Sequence, residues 1–163
     1  MDSLLMNQIN LFDVLTPQSV VCPLIASNKN EAIERLVNHL PSSVTDDYPG
    51  LTKAVIEREG IRSCGMFDGM AIPHVNSAAK VKVPGIIMGV SEKELDWQAI
   101  DNKPVRVICL LVSPNAKTNI RLLSWIVKLL QERKFYNKII QCGPPEDVCD
   151  YIKSVSQNIV IEY

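Results

Sequence analysis

Val105-Arg-Val-Ile-Cys-Leu-Leu-Val112 is apolar at every position but Arg106. A run of eight with no inside–outside alternation reads as a central strand covered on both faces. Upstream, Val83–Val90 is a second strand candidate. Downstream, Ser113–Asn119 reads as a loop with Pro114 and several capping candidates. Ile120–Arg133 then places Ile120, Leu123, Ile126, Val127 and Leu130 along one side of a helix.

The same reading extends to both ends. Ser19–Ile25 is strand-like, and Pro23 puts it near an edge. Ser27 or Asn28 caps a helix over Lys29–Leu40, whose Ala32, Ile33, Leu36, Val37 and Leu40 share a face and which Pro41 stops. A second helix is expected over about Pro49–Arg58, with Asp46 and Asp47 near its start, Leu51, Val55 and Ile56 inward, and Gly60 as its end. A short segment at Phe135–Ile140 is a helix candidate. Pro144 and Pro145 open a last helix through Val155. Strands alternating with helices in a short chain predict a single-domain α/β sandwich, a small mixed sheet with helices on both sides. Residues 1–10 are expected to be flexible, 11–155 to form the domain and 156–163 a tail.

The chain has 163 residues, enough to bury about two-thirds of its unfolded surface in one domain. Lys and Arg number 17 against 18 Asp and Glu, which argues against nucleic-acid binding by bulk positive charge. No apolar stretch approaches the roughly 18 residues of a membrane span. The N-terminus has no positive region before Lys29, so no secretory signal is expected. The five cysteines, Cys22, Cys64, Cys109, Cys142 and Cys149, form no CxxC pair and read as reduced thiols of a cytoplasmic protein. With two histidines, His39 and His74, zinc-ligand spacing is absent and no metal is expected.

The chemistry lies in Arg58–His74, R-E-G-I-R-S-C-G-M-F-D-G-M-A-I-P-H. His74 follows a short apolar run and Pro73, at the end of an element, where sites are often built. Ser63 supplies a hydroxyl, Cys64 a thiol, Arg58 and Arg62 guanidinium groups, and Gly65 and Gly69 allow close backbone approach. A neutral imidazole is nucleophilic near pH 7, its reference pKa being about 6.5. An arginine pairs with phosphate by forked hydrogen bonds. On the residues alone, His74 stays open between boundary residue and nucleophile. A hydrolase using Cys64 and His74 lacks an orienting partner. No P-loop or GxGxxG suggests a nucleotide.

The segment resembles enzyme IIA of the bacterial phosphoenolpyruvate-dependent sugar phosphotransferase system, in its fructose/mannitol/nitrogen-regulatory class. That family's motif runs approximately R-E-x-x-x-S-T-G-[IV]-G-x-G-[IV]-A-[IV]-P-H. Arg58, Glu59, Ser63, Gly65, Gly69, Ala71, Ile72, Pro73 and His74 match it without a gap. Leu11–Val21, Asp96–Val105 and Val107–Pro114 are also similar to family segments, so the likeness covers about residues 11–155. It implies that His74 accepts a phosphoryl group from HPr or its nitrogen-branch counterpart, and passes it to an enzyme IIB cysteine or holds it as a signal. It implies Arg58 as the phosphate-binding cation, Ser63 as a donor, and backbone approach at Gly65 and Gly69, with no cofactor. No fused IIB or IIC segment is expected, which suits a free-standing, nitrogen-regulatory IIA at least as well as sugar uptake.

Three positions depart from the pattern. Cys64 replaces the threonine and removes a hydroxyl donor. Phe67 replaces a glycine and is expected to crowd or shield the site. Asn119 stands where many members carry a second active-site histidine; it is read as a phosphate donor that cannot become cationic, or as a helix N-cap. A second functional class therefore stays open: a regulatory protein-binding module whose transfer is weakened or lost. His39 is read as a helix-boundary residue, Trp97 as packing, Trp125 as core or interface, and Cys109 as buried strand packing. Arg62 is left between a solvent-facing residue and one that steers an acidic partner. Cys142 and Cys149 receive no role.

Overall fold

The computed structural model describes residues 14–65 and 68–157. The expected flexible N-terminus, the shielding by Phe67 and most of the expected tail lie outside the described residues.

After a short 3-10 turn at Pro17–Ser19, the elements run β1 (Val20–Leu24), α1 (Lys29–Asn38), α2 (Tyr48–Ile61), β2 (Met70–Ala71), β3 (His74–Asn76), β4 (Gly85–Leu95), β5 (Val105–Ser113), α3 (Ala116–Leu130), α4 (Phe135–Gln141) and α5 (Pro145–Ser156). The sheet is mixed, in the order β1-β4-β5-β2, with β3 also on β5. β5 runs antiparallel to β4 on one edge and parallel to β2 and β3 on the other. β2 and β3 follow β5 in one register: Met70 faces Val107, Ala71 faces Ile108 and His74 faces Leu111. Between them, Pro73 has no amide hydrogen and Ile72 donates outward, to the Cys64 carbonyl at 3.1 Å.

The continuous apolarity of β5 divides between two cores. Val107, Cys109 and Leu111 meet Leu122, Ile126 and Leu129 of α3, Phe135 and Ile139 of α4, and Val148 and Ile152 of α5. Ile108, Leu110 and Val112 meet Ile33, Leu36 and Val37 of α1, Leu51 and Val55 of α2, and Trp97. Helices thus cover both faces, as the alternation of elements predicts. Trp125 belongs to the first core and Cys109 is buried in β5. Pro23 sits in the edge strand β1, where the register with β4 breaks between Val21 and Leu24.

The element boundaries depart from the sequence expectations at caps. Asn28, one of the two expected caps, caps α1 and accepts from Glu31 N; the departure is at the other end, where His39 is the C-cap and Leu40 lies outside the helix. Asp47 caps α2, which continues through Gly60 to Ile61 before Arg62 turns extended. Leu51, Val55 and Glu59 are its buried residues, and their packing carries the helix past Gly60, where an added Cβ would meet nothing within 4 Å. Asn115 caps α3 and accepts from Thr118 N at 2.9 Å, so the helix starts four residues before the expected Ile120.

Leu110 is fully buried between β5 and the α1–α2 layer. Leu110→Ala is expected to cost about 2–5 kcal/mol of stability through lost transfer energy and a cavity. Urea unfolding checks this; an unchanged midpoint would contradict the two-sided burial of β5.

Candidate functional site

His74 opens β3, on the edge of the sheet. Ile72 and Met70, two and four positions earlier, belong to the core on the α3 side, and alternation along a strand brings His74 to that face. Its imidazole is half-buried, in a hollow of about 320 Å³ lined by Arg58, Arg62, Ser63, Cys64, Ile72, His74, Leu123 and Val127. The two arginines come from the C-terminal end of α2 and the residue after it, and the two apolar residues from α3.

His74 Nδ1 lies 2.7 Å from the Ile72 carbonyl oxygen. A carbonyl only accepts, so this contact assigns the proton to Nδ1 and leaves the Nε2 lone pair without one. Cys64 Sγ is 3.6 Å from the same Nδ1. Burial first, and then the charge and hydrogen bond of Glu59, push the Cys64 thiol up to about 12, against a smaller lowering by Arg58 and Arg62. A thiol held that high is a poor nucleophile. The Cys64–His74 hydrolase reading fails on this point: the contact exists, but the surroundings oppose the thiolate.

Ser63 and Cys64 are held by Glu59, which the sequence reading left without a role beyond its motif match. Glu59 is only 3% exposed. Its Oε1 accepts from Ser63 Oγ at 3.0 Å, Cys64 N at 3.0 Å and Trp97 Nε1 at 2.9 Å. Trp97, fully buried, is therefore a hydrogen-bonding as well as a packing residue. The Ser63 hydroxyl gives its hydrogen to Glu59 and accepts from Gly65 N at 3.1 Å. One signal pointed to Glu59: it continues Leu51 and Val55 at four-residue spacing, which puts a carboxylate on the inward stripe of α2.

The two motif glycines serve packing. A Cβ on Gly65 would lie 2.7 Å from Trp97 Cδ1 and 2.9 Å from Ala99 Cβ. Gly69 has φ +94°, and a Cβ there would meet the Tyr136 ring at 2.7 Å. Gly69 borders a separate hollow of about 630 Å³ with Lys103 and Tyr136, away from the lining of the His74 pocket. The expected backbone approach at Gly69 is thus not to this site.

Asn119 is not an N-cap. It is the fourth residue of α3, its amide donates to Asn115 O at 3.1 Å, and Asn115 does the capping. Its side chain is buried, and its Oδ1 accepts from Ser113 Oγ at 3.3 Å. Neither Gly65 nor Asn119 lines the pocket; Arg58, Ser63, Cys64 and His74 do.

The family described as phosphoenolpyruvate-dependent sugar phosphotransferase system, EIIA 2, matches residues 13–155. The chain belongs to this family. The fructose-specific EIIABC component of Bacillus subtilis is 23% identical over 143 residues, which are 86% of this chain and 22% of that protein, so the chain spans about a fifth of that relative. A nitrogen regulatory protein of Bradyrhizobium diazoefficiens is 21% identical over 129 residues, 78% of this chain and 84% of that one. Among solved structures, nitrogen regulatory protein IIA-Ntr of Neisseria meningitidis superimposes with a TM-score of 0.77 at 22% identity, covering 92% of this chain and 99% of that chain. The mannitol IIA in its complex with phosphorylated IIB from Escherichia coli gives 0.73 at 14% identity, over 86% of this chain and 97% of that chain. These structures share the fold. The chain is thus a type 2 enzyme IIA component. No helix among the described residues is long and apolar enough to cross a membrane.

With a pKa of about 12, Cys64 is a thiolate in a fraction on the order of 10⁻⁴ near pH 8. Iodoacetamide in mildly alkaline buffer is expected to leave Cys64 of the folded protein largely unmodified, and to alkylate it once denaturant is added. Peptide mass spectrometry reads the difference; rapid native-state modification would contradict the buried, Glu59-facing thiol.

Proposed function

We propose that the protein is a phosphohistidine relay: Nε2 of His74 accepts a phosphoryl group from an HPr-like phosphocarrier and either passes it to an enzyme IIB cysteine or holds it as a regulatory signal. The observation that carries this reading is the Nδ1–Ile72 carbonyl contact of 2.7 Å, which leaves Nε2 as the basic nitrogen in a pocket lined by two arginines.

The chemistry follows from those groups. The Nε2 lone pair forms the new P–N bond as the donor imidazole leaves with the electrons of the old one. Nδ1 keeps its proton on the Ile72 carbonyl throughout, so no proton has to move for the bond to form. Phosphoryl transfer has a loose transition state, and positioning and charge stabilisation do most of the catalysis. Arg58 is half-buried and Arg62 exposed. Among the described residues neither guanidinium is in an ion pair. In this reading Arg58 holds the phosphoryl oxygens and Arg62 meets them or the incoming partner from outside. Ser63 and Cys64 close the wall, and Leu123 and Val127 keep the pocket's inner side dry. Asn119, tied to Ser113, holds the end of β5 outside the pocket lining.

The mannitol IIA was solved with its phosphorylated IIB, and other relatives are named for nitrogen regulation, so both destinations of the phosphoryl group have precedent in the family. A cytoplasmic location would follow from either.

Incubation with phosphoenolpyruvate, enzyme I and HPr, or their nitrogen-branch counterparts, is expected to put acid-labile phosphate on the wild-type chain and none on His74→Ala. Arg58→Ala is expected to slow labelling by about 10²–10³, the cost of one preorganised charge-stabilising donor. Labelling of His74→Ala equal to wild type would sink the assignment. A wild type that takes no label from either set of donors would favour the regulatory binding module, whose partner binding should be indifferent to His74→Ala.

A further inference from the structure

We propose that Glu59 is a positioning residue: through the main chain of Cys64 and Ile72, its carboxylate fixes His74 in the tautomer whose Nε2 can take the phosphoryl group. The proposal rests on the relay reading above for its consequence, and on geometry for its mechanism.

The connection is a continuous series of hydrogen bonds. Glu59 Oε1 accepts from Cys64 N at 3.0 Å. The carbonyl of Cys64 accepts from Ile72 N at 3.1 Å. The carbonyl of Ile72 accepts from His74 Nδ1 at 2.7 Å. Each bond fixes the residue that makes the next one. The Ile72 carbonyl is the group that decides the His74 tautomer, and the Cys64 segment orients Ile72 on the side away from β5. The Ile72 N–Cys64 O bond is part of a short antiparallel bridge between Gly65 and Ala71, which ties this segment to the β2–β3 edge.

Glu59 is anchored for this task. Ser63 Oγ and Trp97 Nε1 converge on the same Oε1 as Cys64 N. Its other oxygen, Oε2, is buried and has no hydrogen-bond partner among the described residues. An acceptor oxygen alone is what a passive scaffold needs, and a neutral amide supplies one without a buried charge. A carboxylate with one orphan oxygen is costly to bury. What the charge adds is strength: hydrogen bonds to an ionised acceptor are roughly twice as strong as neutral ones. Here that strength is spent on the segment that carries Cys64. The negative charge is also felt at the Cys64 thiol, 3.6 Å from His74 Nδ1.

Without the carboxylate, Cys64 N loses its acceptor and the Ser63–Gly65 segment is freed on the side facing α2. The Ile72 carbonyl then loses its fixed direction. An imidazole without a fixed acceptor at Nδ1 distributes its proton over both nitrogens, and a proton on Nε2 occupies the lone pair that transfer requires.

The test uses the full chain labelled with ¹⁵N. It holds only two imidazoles, so His39 serves as the internal reference. Long-range ¹H–¹⁵N spectra report which nitrogen of His74 carries the proton, and the labelling assay above reports transfer. Wild type is expected to show the Nδ1–H form alone. Glu59→Ala is expected to show both tautomers and to slow labelling by about 100-fold, the cost of a misplaced reacting group. Glu59→Gln keeps the acceptor oxygen and is expected to keep the Nδ1–H form, with a labelling rate between the other two. A wild-type His74 protonated on Nε2 overturns the proposal whatever the variants do, which protects the test if Glu59→Ala fails to fold. An unchanged tautomer and rate in a folded Glu59→Ala overturns it as well. Failure of the wild type to be labelled would remove the relay reading, while the spectra would still decide the role of Glu59.

Discussion

Strand β5 must be satisfied in four directions at once. Its side chains are apolar toward both faces, so helices have to cover both, and its backbone needs partners on both edges. One edge is met by β4, the strand before it in sequence, in an antiparallel pair. The other is met by the short β2–β3 edge, which runs parallel to it. That second pairing places His74 at the rim. Starting opposite Val107 at Met70, the edge brings the histidine level with Leu111, where α3 covers one face and the end of α2 approaches from the other side. The site is therefore a by-product of completing β5, and its precision is inherited from a strand buried on all sides.

The architecture was legible because it follows from long apolar patterns. The unbroken run in β5, the helical face around Leu36 and Pro23 at an edge each point to one local answer, and the answers agree; on α3 the expected face is turned, with Leu122, Trp125 and Leu129 buried beside Ile126 and Ile120 exposed. The boundaries were less so. Gly60 looks like a helix end, yet α2 passes through it, because Leu51, Val55 and Glu59 bind the helix on one stripe and outweigh a preference of about 1 kcal/mol. Likewise Asn119 and Asn115 are both plausible caps. Asn115 takes the role because β5 ends at Ser113 and the chain can turn into a helix within two residues.

The site was half legible. Arg58, Ser63, Cys64 and His74 were named from the motif, and all four line one pocket. What could not be read was the division of labour behind them. A motif glycine looks like room for a ligand; Gly65 is instead filled by Trp97 and Ala99, residues more than thirty positions away in sequence. A serine beside an arginine looks like a phosphate donor; its hydrogen is directed to Glu59. These facts depend on Trp97 folding back over α2, a long-range contact with no local signature. Glu59 itself left a trace, as a carboxylate on an otherwise apolar stripe, and a buried charge in such a place calls for partners.

The balance of charge around His74 is also set by what is missing. The family pattern that the sequence resembles would put a second histidine at Asn119, and the chain's other imidazole, His39, is the C-cap of α1, with no place in the His74 pocket. An amide cannot gain a proton, and the Oδ1 of Asn119 is engaged by Ser113. The cations that line the pocket are the guanidiniums of Arg58 and Arg62. Under the proposed relay, these two guanidiniums supply the stabilising field to the reacting imidazole. The burden of selecting its reactive form then falls on hydrogen-bond geometry, and the Ile72 carbonyl, held through Cys64 by a buried carboxylate, is the group in the right place to carry it.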